Sequence, residues 1–153
     1  MTGPACACAV LRKAARAISR VYDEAMAPTG LTTAQFSLLR HLARAGAPPL
    51  TRLAEALVMD RTSLYRTLQP LVRDGLVEVA PGKGRAKRAV LTEAGRARIE
   101  IAAPHWDAAQ QAFLDRYGAK DWMAIDEALK RVVEVAGADK VSPPSPTPAV
   151  HRA

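Results

Sequence analysis

Residues 60–75, DRTSLYRTLQPLVRDG, run directly into residues 76–91, LVEVAPGKGRAKRAVL, and the way these two stretches fold decides the architecture of the whole chain. The first stretch reads as a helix. Asp60 is placed to accept from the amides of an opening turn, and Leu64, Leu68, Leu71 and Val72 recur at helical spacing. Gly75 stands where a left-handed residue closes a helix. That periodicity turns Arg61, Thr62, Ser63, Tyr65, Arg66, Thr67 and Gln69 outward or to the flanks. Pro70 removes the backbone bond that would reach Arg66, so the last turns should bend while the N-terminal half stays regular. The second stretch changes period. Residues 76–80 and 88–91 read as two short strands, joined by a tip of Pro81, Gly82, Lys83, Gly84 and Arg85.

Working upstream, Thr51 is expected to cap a short helix carrying Leu53, Ala54 and Leu57, with a turn at Val58 and Met59 before Asp60. Thr32 and Gln35 form a capping-box pattern, with Leu31 and Phe36 as a hydrophobic staple, at the head of a helix over 33–45. A first helix over 8–26 has Leu11, Ala14, Ala15, Ile18, Tyr22 and Ala25 on one side and Arg12, Arg16, Arg20 and Asp23 opposite. Downstream, Thr92 opens a long helix with Ile99, Ala103, Trp106, Ala109 and Phe113 as its stripe, kinked at Pro104 and ended by Gly118. A last helix over 121–136 places Trp122, Ile125, Leu129, Val132 and Val133 at helical spacing. The expected organisation is an N-terminal tail (1–7), a folded unit (8–137) and a proline-rich, disordered C-terminal tail (138–153).

The composition agrees with a mainly α protein: 49% of residues are hydrophobic, most of them alanine and leucine, and only 5% are aromatic. A length of 153 residues suits one compact unit. No apolar run reaches the roughly 18 residues of a spanning helix, and the N-terminus lacks the order of a secretory signal, so a cytoplasmic protein is expected. No nucleophile–base grouping, metal-ligand cluster or glycine-rich phosphate loop is present, which argues against an enzyme and implies neither metal nor cofactor. The net charge of +7 points to a polyanionic partner.

Short helix, tight turn, second helix and basic hairpin, in that order between Thr51 and Leu91, make a winged helix-turn-helix with a two-stranded β-wing. Arginines on one helix could simply be solvated. Here, however, no acid stands between Glu78 and Glu93, while Lys83, Arg85, Lys87 and Arg88 crowd the same stretch, an unfavourable arrangement without a polyanion. Double-stranded DNA is the expected partner. A helix fits the major groove, about 12 Å wide, where Arg66 can pair with guanine and Gln69 with adenine. Thr62, Ser63 and the amides at the helix N-terminus suit phosphate. Arg61 and Tyr65 flank this face. A sequence-blind architectural DNA binder would share the basic surface but show little preference over random duplex. The apolar stripes of the terminal helices exceed what a small wing domain can cover, which predicts a two-fold dimer on a pseudo-palindromic operator.

The pattern from Leu31 through Gln35 and Phe36, then Leu53, Ala54, Asp60-Arg61-Thr62-Ser63, Leu71, Gly75, Leu76, Val77 and Leu91-Thr92-Glu93-Ala94-Gly95, resembles the multiple-antibiotic-resistance regulator (MarR) family over residues 8–137. The resemblance implies a DNA-binding core over 32–92 and dimerisation segments over 8–30 and 93–137. It also implies that the fourth helix enters the major groove and that Arg85 enters the minor groove from the wing tip. Lys83 departs from the family, which commonly has an aspartate there that steadies the wing.

Members of that family often bind small aromatic or phenolic acids in the crevice between the dimer helices and the DNA-binding lobe, so a ligand-responsive repressor released by such an acid is expected. The matching candidates are Arg16, Tyr22, Arg40, His41, His105 and Trp106, because a guanidinium clamps a carboxylate while rings stack on the aromatic body. Oxidation is the rival signal. Cys6 and Cys8 lie at the start of the first helix near Arg12 and Lys13, too close together for a strain-free disulfide with each other but able to meet a partner subunit.

Overall fold

The computed structural model describes residues 5–138; both expected tails fall mainly outside the described residues. Helix α1 (Ala7–Met26) is followed by a single 3-10 turn (Ala27–Thr29), α2 (Thr33–Ala45), α3 (Leu50–Ala56), α4 (Arg61–Arg73), the hairpin β1 (Val77–Pro81) and β2 (Lys87–Leu91), α5 (Glu93–Tyr117) and α6 (Ala119–Ala138). The hairpin is antiparallel, pairing Val77 with Leu91 and Ala80 with Arg88. This is a mainly helical winged helix-turn-helix. Among the described residues no helix is long and apolar enough to cross a membrane.

Most boundaries follow local chemistry. The capping box at α2 forms in both directions: Gln35 N–H donates to Thr32 Oγ1 at 3.2 Å, and Thr32 N–H donates to Gln35 Oε1 at 2.8 Å. Asp60 Oδ1 accepts from Ser63 N–H at 2.8 Å and starts α4. At α3 the expectation fails, because the helix begins at Leu50 with Pro49 as its cap and Thr51 lies inside it. The start is set from a distance: Ala89 N–H donates to the Pro48 carbonyl at 3.1 Å and Pro49 bridges to Arg88, so the helix begins where the chain leaves β2. Helix α5 runs unbroken through Pro104. The carbonyl deprived of its donor belongs to the exposed Glu100, where water can replace the bond.

The chain clusters into two compact units, 1–112 and 113–153, where its length suggested one. The first holds a continuous core that includes Met26, Phe36, Leu38, Leu39, Leu53, Leu64, Leu68, Leu71, Val77 and Ala102. In it, Thr33 N–H donates to Asp23 Oδ1 at 2.7 Å and ties α2 to α1, while Arg98 Nη1 donates to the Thr29 carbonyl at 3.1 Å and ties α5 to the 3-10 turn. The second unit is organised by rings: Phe113 stacks on Tyr117 with centroids 5.5 Å apart and meets Trp122 edge-on at 5.2 Å. No described residue of α6 is buried.

Two tight contacts orient the recognition unit. Thr92 Oγ1 donates to the Gly75 carbonyl at 2.8 Å and accepts from Gly95 N–H at 3.0 Å, joining the head of α5 to the end of α4. A Cβ at Gly95 would lie 2.2 Å from the Leu76 carbonyl oxygen, so only glycine permits this approach. Helices α3 and α4 end in the same way. Met59 N–H reaches the Ala54 carbonyl and Val58 N–H that of Glu55; Leu76 N–H reaches Leu71 and Gly75 N–H reaches Val72. This double bond pattern places a left-handed residue just past the helix. The second ending uses Gly75 at φ 71°, but the first forces Val58 to φ 51°.

A β-branched residue there is strained, and Val58 is 73% exposed, so its side chain has little packing to lose. Val58→Asn is expected to raise stability by about 1 kcal/mol, visible as a higher urea midpoint at unchanged slope. A lower midpoint would show that valine is comfortable in this turn.

Candidate nucleic-acid interface

Leu64, Leu68 and Leu71 bury the inner side of α4 and leave Arg61, Thr62, Arg66 and Gln69 exposed, with Tyr65 half-buried. Arg61, Thr62, Tyr65, Arg66 and Gln69 line one shallow concavity. The Arg61 guanidinium lies 5.9 Å from the centroid of the Tyr65 ring, a cation–π contact that directs it along the helix flank. A second cleft adjoins it, lined by Thr51, Ala54 and Glu55 of α3, Arg61 and Tyr65 of α4, and Arg85, Ala86 and Lys87 of the hairpin. The fold therefore brings the basic helix and the basic hairpin to a common face. Lys83, Arg85, Lys87 and Arg88 are all exposed. The exposed pairs Arg52–Glu55 and Arg73–Asp74 involve none of these candidates.

Two of the expected contact residues are already engaged. Ser63 gives its N–H to Asp60 Oδ1 and its hydroxyl to Asp60 Oδ2, both at 2.8 Å, so it serves the cap rather than a phosphate. The capping carboxylate also offsets the positive end of α4, which weakens the case for anion binding by the N-terminal amides. Arg88 Nε donates to the Ala47 carbonyl at 3.0 Å.

The sensing candidates divide. Tyr22, Arg40 and Trp106 come together, and Phe36 and Gln110 join them. The Arg40 guanidinium lies 5.0 Å from the Trp106 ring and 5.7 Å from the Phe36 ring. Trp106 in turn lies 6.2 Å from Tyr22 and 6.3 Å from Phe36. The Tyr22 hydroxyl donates to Gln110 Oε1, and burial pushes the phenol above its ordinary range. Arg16 stands exposed on α1, while His41 and His105 are half-buried outside these ring contacts. Gln110 had a signal in the sequence, since it falls one turn beyond Trp106 on the same helix. Cys6 and Cys8 are exposed free thiols.

A basic helix seated beside a basic hairpin on a helix-turn-helix core defines the class: a winged-helix DNA-binding protein. A sequence model of the MarR family matches residues 29–86. The transcriptional regulator MosR of M. tuberculosis, solved in complex with DNA, is 36% identical, with a TM-score of 0.79 over 87% of this chain and 97% of that one. A mutant MarR of E. coli complexed with operator DNA shares the fold at 24% identity, with a TM-score of 0.72 over 81% of this chain and 91% of that one. Bordetella bronchiseptica BpsR, whose DNA binding is regulated by 6-hydroxynicotinic acid, shares it at 24% identity and a TM-score of 0.75, over 86% and 99% of the two chains. No curated protein matches the sequence. The chain belongs to the MarR family, whose members are transcriptional regulators and not enzymes.

Asp60 ties this interface to pH. The Ser63 amide, and then the Ser63 hydroxyl, hold its carboxyl below the usual carboxylate range. A lowered folded-state pKa means that the cap's contribution is complete above the ordinary carboxylate range and is lost as pH falls through the folded value. The stability gap between wild type and Asp60→Ala should therefore close on acidification, measured by urea unfolding across pH. A gap that stays constant would mean that the cap acts without its charge.

Proposed function

We propose that two copies of this chain form a homodimeric repressor that reads a pseudo-palindromic operator and is released by a small aromatic acid. The observation that carries the DNA half is the common face made by α4 and the hairpin around Arg61, Tyr65, Arg85 and Lys87. Arg66 and Gln69 meet base edges in the major groove, and Arg85 reaches the minor groove from the wing tip. Dimerisation is supported by apolar surface left open on the terminal helices: Val10 and Val21 on α1, and Met123, Val132, Val133 and Val135 on α6. Selection of bound duplexes from a random pool should return half-sites about 34 Å apart. On that operator, Arg66→Ala should lose about tenfold in discrimination against single-base changes. Arg85→Ala should weaken all duplexes and flatten the dependence on salt. Equal binding of selected and random duplexes would instead mark a sequence-blind architectural protein.

The effector half rests on Arg40. Its guanidinium lies over the Trp106 and Phe36 rings, and a guanidinium held in such cation–π contacts keeps N–H donors that can fork a carboxylate. Regulation of BpsR by 6-hydroxynicotinic acid supports an acid of this class. Thermal-shift titration with 6-hydroxynicotinic acid and benzoic acid should show stabilisation by at least one of them, with the apparent Kd raised about tenfold or more in Arg40→Ala. DNA binding that responds to peroxide and to neither acid would move the sensing step to Cys6 and Cys8.

A further inference from the structure

The hairpin meets the rest of its lobe along a strip with few backbone donors. The facing segment is Pro48-Pro49, which has no N–H to give, and Ala89 N–H donates to the Pro48 carbonyl at 3.1 Å within the bridge that pairs Pro49 with Arg88. Arg88 adds a side-chain bond at this place. Its Nε donates to the Ala47 carbonyl at 3.0 Å, across 41 residues of sequence. The stem of the same side chain lies against Gly82, where an added Cβ would stand 3.0 Å from Arg88 Cγ and 3.2 Å from Cδ, and 3.1 Å from the Ala86 carbonyl oxygen. Gly82 N–H donates to the Ala86 carbonyl at 2.8 Å and closes the tip that carries Arg85. One side chain thus touches the base of the tip and holds the segment between α2 and α3.

We propose that Arg88 is a positioning residue that clasps the wing to the α2–α3 segment and so sets where Arg85 meets DNA, rather than a phosphate contact like its basic neighbours. The inference rests on the reading that the wing touches DNA, and the Arg88 stem shares with the Ala86 carbonyl the close approach that glycine permits at position 82. Fixing Nε on a carbonyl orients the guanidinium toward the protein. A residue selected only for charge would not need that bond.

The test uses the full chain. In amide hydrogen exchange without DNA, Arg88→Ala should speed exchange at Gly82, Ala86 and Ala89 about tenfold, while the Leu68 and Leu71 amides of α4 keep their protection. On DNA, Arg88→Ala should weaken binding about tenfold in the wild-type background but less than about twofold when Arg85 is already alanine. Arg88→Lys, which keeps the charge and removes Nε, should reproduce the loss. It also stands in for Arg88→Ala should that variant fold poorly. Unchanged exchange, with losses at Arg88 and Arg85 that simply add, would overturn the clasp and make Arg88 a direct phosphate contact. Faster exchange in Arg88→Ala, with affinity untouched by Arg85→Ala, would instead refute the wing–DNA reading alone.

Discussion

Three leucines on one side of α4 set the rest of the molecule's geometry. Leu64, Leu68 and Leu71 are each 1% exposed and follow one another at four and three residues. Burying each contributes roughly 2 kcal/mol, so rotating the helix by a single position, about 100°, would forfeit most of that and drive polar side chains into the core. The rotation is therefore fixed, and with it the outward direction of Thr62, Arg66 and Gln69. Recognition chemistry here follows from core packing: the face that meets a partner is whatever the leucines leave outside. Thr92 and Gly95 fix the other coordinate by joining the start of α5 to Gly75 just past α4 and to Leu76, which leads into the hairpin.

What the sequence made legible was what short-range chemistry decides. The capping box of Thr32 and Gln35, the Asp60 cap and the stop at Gly75 each depend on residues within four positions, and each forms as read. Thr51 was misread as a cap because the start of α3 is imposed by β2, some 40 residues downstream, through Pro48 and Pro49. The same limit hid the partner of Tyr22, which is Gln110, 88 residues away. In the candidate site, residue types pointed to a basic surface, but they could not show that Arg88 Nε is bonded to the Ala47 carbonyl or that Ser63 gives both its donors to Asp60. Charge is visible in a sequence; the engagement of a particular nitrogen is not.

The ring cluster occupies a mechanically sensitive place. Tyr22 lies on α1, Phe36 and Arg40 on α2, and Trp106 and Gln110 on α5, so anything that parts these rings acts on three helices together. Two polar ties close by, Asp23 to the Thr33 amide and Arg98 to the Thr29 carbonyl, join the same helices at the turn between α1 and α2. Because α2 leads through Ala47 and the two prolines into α3, and Ala47 also receives Arg88, a displacement of α2 would reach the recognition unit and the hairpin by one continuous route. That is a structural connection; a coupling energy between the two ends is what would make it allosteric.

The head of α4 carries a carboxylate on a face otherwise built for a polyanion. A helix N-terminus normally attracts phosphate through free amides and the dipole, yet Asp60 occupies the Ser63 amide and hydroxyl and adds a negative charge beside them. The arrangement is consistent if attraction to the backbone is assigned elsewhere. Arg61, the first residue of α4, lies over the Tyr65 ring one turn on, and Lys83, Arg85 and Lys87 stand exposed on the hairpin, so the positive charge is carried by side chains rather than by the capped amides. Asp60 then stabilises the first turn, which carries Thr62 and precedes Arg66. The cap thus holds the register of a turn that the three leucines aim outward, and the exposed positive charge is carried by Arg61 and the hairpin.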